Sequence, residues 1–171
     1  MQMVKKSALI FLLVWFSAVL FMPKAELYHT LEKTLAQQDI KLNEKSIHEG
    51  LFSLTLKDIT VYVKGIALAH IERIDVFTLL FYTSLDLHNL EVDEALHATL
   101  PAQTKTAKFR YSIVTPLTIA IDANGSFGTT EGTINLRNKK LHVDFVKVGD
   151  IGTVQSLLKK GEKGWFYEKS F

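Results

Sequence analysis

The chain has 171 residues, 47% of them hydrophobic and 22% charged, with a formal net charge of +2 and no cysteine. That length fits one ordinary domain with an appendage, and the missing cysteines exclude disulfides and thiol chemistry. All 18 acidic residues but only 18 of the 20 basic ones follow Pro23, so this larger part is neutral and lacks the clustered basic surface that nucleic acid requires.

The first element is "SALIFLLVWFSAVLFM", sixteen residues without a charge between Lys6 and Pro23. As a helix it covers about 24 Å, short of a hydrocarbon core of about 30 Å. Met3, Val4 and snorkelling by Lys5, Lys6 and Lys24 make up the difference. A cleaved signal peptide is the competing reading. It needs small residues three and one before the cut, and the chain offers Pro23 and Lys24 there, or Phe16 at the outer position of Phe16-Ser17-Ala18. The expectation is an uncleaved anchor. Lys5 and Lys6 put its short end in the cytoplasm, so everything after Pro23 lies across the membrane. The expected organisation is a stub and anchor over 1–23, an amphipathic linker helix over 24–38 and a β-domain over 39–171.

Lys24 to Gln38 carries Leu27, Leu31 and Leu35 four apart with Tyr28 beside them, the stripe of an amphipathic helix. Packing on the domain is expected, with a membrane-surface helix as the alternative. From Ile40 the hydrophobic period becomes two. Phe52, Leu54 and Leu56 alternate with polar residues, as do Ile59, Val61 and Val63, then Phe109, Tyr111 and Ile113, and Leu117, Ile119 and Ile121. Pro116 marks an edge or bend and Asn124-Gly125 a turn. "RNKK" joins two strands as a hairpin. Asp150 is expected to cap a short helix with Ile151, Val154, Leu157 and Leu158 inward, stopped by Gly161. The aromatic tail "GWFYEKSF" is expected to cover an open end of the sheet.

One sentence is written twice. "SLTLKDITV" (Ser53 to Val61) returns 31 residues later as "SLDLHNLEV" (Ser84 to Val92). In both, two polar residues interrupt the alternation, so the apolar set changes parity. On a strand this moves the set to the other face unless a bulge or bend at Lys57-Asp58 and at His88-Asn89 returns it. The expected fold is therefore mainly β with flanking helices: an N-terminal transmembrane helix, then a curled antiparallel sheet forming a groove or half-barrel. The residues expected to line that groove are Leu54, Leu56, Ile59, Val61, Leu85, Leu87, Leu90 and Val92, with a filled core as the competing use of the same face.

Catalytic candidates are poor. His29, His48, His70, His88, His97 and His142 form no metal spacing. Glu72, Arg73 and Asp75 read as a solvated charged face. Asp93 and Glu94, adjacent on a strand, would point to opposite faces. "KKGEKG" is not a phosphate-binding loop, and Asn124-Gly-Ser126 matches a glycosylation sequon of the kind that arises by chance more often than not. No enzyme, cofactor or metal is expected.

The segment "IKLNEKSIHEGLFSLTLKDITVYVKGIALAHIERIDVFTLL" resembles the start of the AsmA-like families and of type II secretion system protein N. The resemblance lies in the pattern Leu54, Leu56, Asp58, Ile59, Val61, then Ile71, Ile74, Val76, then Thr78-Leu79-Leu80. The second copy supplies Leu85, Leu87, Asn89, Leu90 and Val92, and "GSFGTTEGTINL" resembles the later hairpins. It spans roughly Lys24 to Phe145. It implies an inner-membrane anchor, a periplasmic curved β-sheet and a part in type II secretion or in lipid transport and envelope biogenesis. The partners it implies are membrane lipid and other inner-membrane or envelope proteins. The chain is shorter than such proteins usually are, which implies a minimal member working beside a partner. A lipopolysaccharide-export component of the bitopic β-jellyroll type shares the anchor, size and sheet and is the alternative.

Overall fold

The computed structural model describes residues 2–20, 23–79, 81–97, 100–152, 154–161 and 164–171. Phe21 and Met22 of the candidate cleavage site, Leu80 of the "TLL" turn and the middle of "KKGEKG" lie outside them.

Two helices come first, α1 (Gln2–Leu20) and α2 (Lys24–Ala36), joined at Pro23. Proline suits the start of a helix because its missing N–H has no intrahelical partner to lose. Residues 7–20 of the apolar run beyond Lys6 are thus helical in α1. Among the described residues no helix is long and apolar enough to cross a membrane, so the span expected there has no support from helix length.

Among the described residues eleven strands follow: β1 (Ile40–Asn43), β2 (Ser46–Glu49), β3 (Ser53–Val63), β4 (Ile66–Leu79), β5 (Tyr82–Val92), β6 (Gln103–Ser112), β7 (Thr118–Gly125), β8 (Gly128–Asn135), β9 (Lys140–Val148), β10 (Lys159–Gly161) and β11 (Gly164–Ser170). All join one antiparallel sheet, ordered β1-β3-β4-β5-β6-β7-β8-β9-β11-β10, with β2 also on β3. The sheet stays open and does not close into a barrel. Tight connections explain the meander. Between β3 and β4 the turn is Lys64-Gly65, both with positive φ (51° and 82°), the primed turn that matches strand twist.

Several sequence expectations need correction. The helix after Asp150 is one 3-10 turn, Gln155–Leu157; Leu157 is 60% exposed and residues 159–161 form an edge strand instead of a helix stop. Pairing of residues 159–161 with β11 takes up the chain that a longer helix would need. Asp150 still caps locally, its Oδ1 accepting from the Gly152 N–H at 3.1 Å. The aromatic tail does not cover the sheet; it extends it as β11, paired with β9 from Phe166↔Asp144 to Ser170↔Lys140. The turn expected at Asn124-Gly125 lies two residues later, at Ser126-Phe127, because Gly125 pairs with Gly128. Asp93 has left the strand before Glu94: its side chain caps a 3-10 turn by accepting from the Ala95 N–H at 3.0 Å.

The repeat is the organising feature. β3 and β5 carry its two copies and both pair with β4. Residues directly opposite share a face, so Leu54 and Leu85 flank Val76, Leu56 and Leu87 flank Ile74, Ile59 and Leu90 flank Ile71, and Val61 and Val92 flank Ala69. The parity change works as expected: Asp58 and Asn89 take positive φ (51° and 47°), and Leu54, Leu56 and Ile59 are all buried in one cluster with Tyr28 and Ile71. β4 makes the same step between Ile71 and Ile74, at Glu72-Arg73, a third copy hidden inside a charged patch. β6 carries it on as Lys105, an extra residue that shifts the β6–β7 register between Thr104 and Thr106. Asp58, Glu72, Asn89 and Lys105 thus form a crease across four strands.

Candidate functional site: an apolar sheet face

The rows that begin on the repeat continue across the sheet. Following the pairings, Leu54, Val76, Leu85, Phe109, Ile121, Gly132, Val143 and Tyr167 lie side by side on one face. Beside them run Leu56, Ile74, Leu87, Ala107, Ala123, Thr130 and Phe145. One apolar face therefore extends from β3 to β11.

Two covers lie on this face, one towards each side. The first is α2, anchored by Tyr28. The ring is 7% exposed and its hydroxyl donates to Glu44 Oε2 at 2.8 Å. Burial, with the Glu44 carboxylate as acceptor and neighbouring charge, pushes the phenol well above its ordinary value. Leu27 and Leu31 of the expected stripe remain 48% and 54% exposed. Tyr28 instead makes the contact, because a phenol can bury its ring and still satisfy its hydroxyl. Between α2 and the sheet lies a cavity of about 350 Å³, lined by Lys24, Leu27, Tyr28, Leu31, Leu54, Val76, Thr78 and Leu85. The second cover comes from Leu100, Pro101, Val154, Leu157 and Leu158, which enclose another 350 Å³ or so against Thr130, Val143, Phe145 and Tyr167, with Phe127 at its wall. Both lie at the lower end of ligand pockets, about 300–1,000 Å³. Phe109 and Ile121 line neither cavity; they stand between them, partly exposed.

The eight residues expected to line a groove all lie on this face. Leu54, Leu56 and Ile59 are 5%, 3% and 0% exposed, and Val61, Leu87 and Leu90 pack partly buried against them. Leu85 opens onto the cavity under α2. Val92 sits at the far end, beside Asp93 and Glu94. The first copy of the repeat is thus mostly core and the second is its partly exposed continuation. Pattern reading missed Phe109 and Ile121 as parts of the same face because only register across five strands brings them into line.

The opposite face is charged. Arg73 Nε lies 2.6 Å from Asp75 Oδ2, Lys108 Nζ 3.1 Å from Asp86 Oδ1, and Arg110 pairs with Asp122. Asp75 also accepts from Thr55 Oγ1 at 2.7 Å. Burial alone would raise the Asp75 pKa, but the hydrogen bonds from Arg73 and Thr55, with the Arg73 charge, outweigh it and hold the carboxyl below its ordinary value. A cavity of about 410 Å³ opens here among Asp86, Lys108, Asp122 and Glu131. Its charged walls pair across the strands, Lys108 with Asp86 and Arg110 with Asp122, and Leu87, Ala107 and Ala123 also line it. Among the described residues no group of three or more His, Asp or Glu is placed to hold a metal ion. No protein-family model, curated protein or solved structure matches the chain.

Proposed function

We propose that this protein is a non-catalytic, single-pass envelope protein whose apolar sheet face holds lipid acyl chains, as an accessory to lipid transport, envelope biogenesis or type II secretion. The observation that carries the reading is the apolar face continuing through Leu85, Phe109 and Ile121 between two partly filled covers. Exposed apolar area costs about 25 cal/mol per Å², so a face of this kind favours an apolar occupant.

The anchor reading rests on α1. Six consecutive residues, Leu9 to Val14, are between 56% and 69% exposed. Six residues exceed a full helical turn, so α1 is apolar on every side, the pattern of a helix meant for an apolar surrounding. Lys5 and Lys6 at one end and Lys24 at the other extend its reach by snorkelling. The two leading lysines favour a cytoplasmic N-terminus, with the sheet on the periplasmic side of an inner membrane. The likeness of the strand pattern to AsmA-like proteins and to type II secretion protein N supports the same arrangement.

A second reading is a scaffold with a filled core and no ligand, favoured by the near-complete burial of Leu54, Leu56 and Ile59. One experiment separates them. The full chain is reconstituted with a phospholipid bearing a diazirine near its acyl terminus, irradiated and digested. Acyl-chain capture is expected on peptides containing Leu85, Phe109 or Ile121. Capture confined to α1 would leave the scaffold as the better account.

A further inference from the structure

We infer that the row of turns at one end of the sheet is a membrane-docking edge that rests in the headgroup region of an anionic phospholipid bilayer. The antiparallel register brings residues 50–52, 81, 113–117, 136–139 and 171 to the same end. Backbone bonds tie these turns into a rim: Thr78 N–H to the Phe52 carbonyl, Ile113 to Phe81, Leu136 to Leu117, and Phe171 to Lys139, each 2.8–3.0 Å.

The rim is apolar and exposed where turns are ordinarily polar. Leu51 is 67% exposed, Phe81 50%, Val114 84%, Leu117 47%, Leu136 42% and Phe171 62%. Leu117 holds a φ of 63°, a left-handed conformation that glycine or asparagine adopts at less cost. An apolar residue therefore sits in water at a strained position, where the fold alone would favour a polar one. A contiguous exposed apolar patch marks an interaction surface.

Charge selects the partner. Among those rim residues the only charged side chains are Arg137 and Lys139, and none is an Asp or Glu. The turns at the other end carry three acidic residues, Asp93, Glu94 and Asp150, against one lysine, Lys64. A basic, apolar edge opposite an acidic end fits an anionic lipid surface, to which each nearby basic residue adds attraction. Continuity with α1 points the same way: the Phe16 and Phe52 rings are 6.0 Å apart, and Phe81 shares an apolar cavity with Ala8, Phe11, Leu12 and Trp15. In this arrangement the strands stand on the membrane and the cavity under α2 opens close to its surface, so a lipid tail has a short path onto the sheet.

The inference rests on α1 being membrane-embedded, and the test separates the two. The native chain has no cysteine, so single nitroxide labels can be placed at Leu51→Cys, Val114→Cys and Leu136→Cys on the rim, Lys64→Cys and Glu94→Cys at the far end, and Leu12→Cys in α1. The full chain is reconstituted in vesicles of phosphatidylethanolamine and phosphatidylglycerol, and each label is ranked by collision with oxygen against a water-soluble nickel chelate. Rim labels are expected to favour oxygen and far-end labels the chelate. Arg137→Ser with Lys139→Ser should move the rim labels towards water. A lipid-exposed label at 12 with water-exposed rim labels would overturn the docking edge and leave the anchor standing. A water-exposed label at 12 would overturn both.

Discussion

Asp58 and Asn89 stand on either side of Glu72, 31 residues apart in sequence and equivalent in the sheet. Both hold left-handed backbone conformations, with φ of 51° and 47°, and the Asn89 amide donates to the Glu72 carboxylate. At each site one residue in that conformation lets the strand change parity while its neighbours keep register. Asp and Asn tolerate it better than other non-glycine residues because their short polar side chains bond locally.

The crease should therefore respond to backbone preference more than to charge. Asn89→Gly is expected to leave stability within about 0.5 kcal/mol of the parent, since glycine takes this conformation freely. Asn89→Val should cost about 1–3 kcal/mol, because a β-branched residue is strained there. Urea unfolding of both variants decides it. Equal losses for the two would mean that the Glu72 contact, and not the backbone, holds the crease.

Much of this was legible in the sequence. The two nine-residue copies, the strands they form and the parity step at Lys57-Asp58 and His88-Asn89 all follow from apolar spacing. The third step, "IERI", was equally visible but reads as surface charge, since Glu72, Arg73 and Asp75 stand together. The C-terminal region was not legible. "GWFYEKSF" alternates too weakly for a strand until β9 offers a partner, and Ile151, Val154 and Leu157 suit a helix only if no sheet edge competes. Tertiary pairing decided both. The shared face of Leu85, Phe109 and Ile121 depends on register, which spacing along the chain does not encode.

Tyr28 fixes α2 to the sheet through a ring and one hydrogen bond. Tyr28→Phe should cost about 1 kcal/mol, the usual net worth of such a bond, with Glu44 left free to face solvent. The sign of the pH effect follows from the raised phenol. The folded state holds this proton more tightly than the unfolded chain, so the contribution is complete below the ordinary tyrosine value and lost as pH rises above about 10. Unfolding midpoints at about pH 8 and about pH 11 should converge for parent and Tyr28→Phe. A constant gap would refute the assignment.

Acid should act at Asp75. Its carboxyl is held below the ordinary value in the folded chain, so its contribution is present above about pH 4 and is lost as pH falls through the folded value. Asp75→Asn should destabilise by about 1 kcal/mol at neutral pH, a modest figure because the pair with Arg73 is partly in water. The difference from the parent should shrink towards pH 3 or so. Thr55→Val is expected to follow the same trend more weakly. Paired urea titrations at the two pH values test both.

The last prediction separates core from ligand surface on one face. Ile59 is fully buried, so Ile59→Ala should cost about 2–5 kcal/mol through lost burial and the cavity left behind. Any effect on lipid capture should follow only from unfolding. Ile121 lies on the same face but remains partly exposed and lines neither cavity. Ile121→Ser should cost less, about 1–2 kcal/mol, because the residue keeps some contact with water. It should leave the far-ultraviolet circular dichroism intact and still reduce acyl-chain crosslinking to the neighbouring Phe109 peptide. Both measurements are needed on each variant. If Ile121→Ser unfolds the chain as fully as Ile59→Ala, the face is continuous core. If it stays folded and crosslinks as the parent does, acyl chains lie elsewhere. A folded Ile121→Ser with diminished capture requires an open apolar surface, because a filled core offers no site where one hydroxyl could weaken binding without loosening the fold.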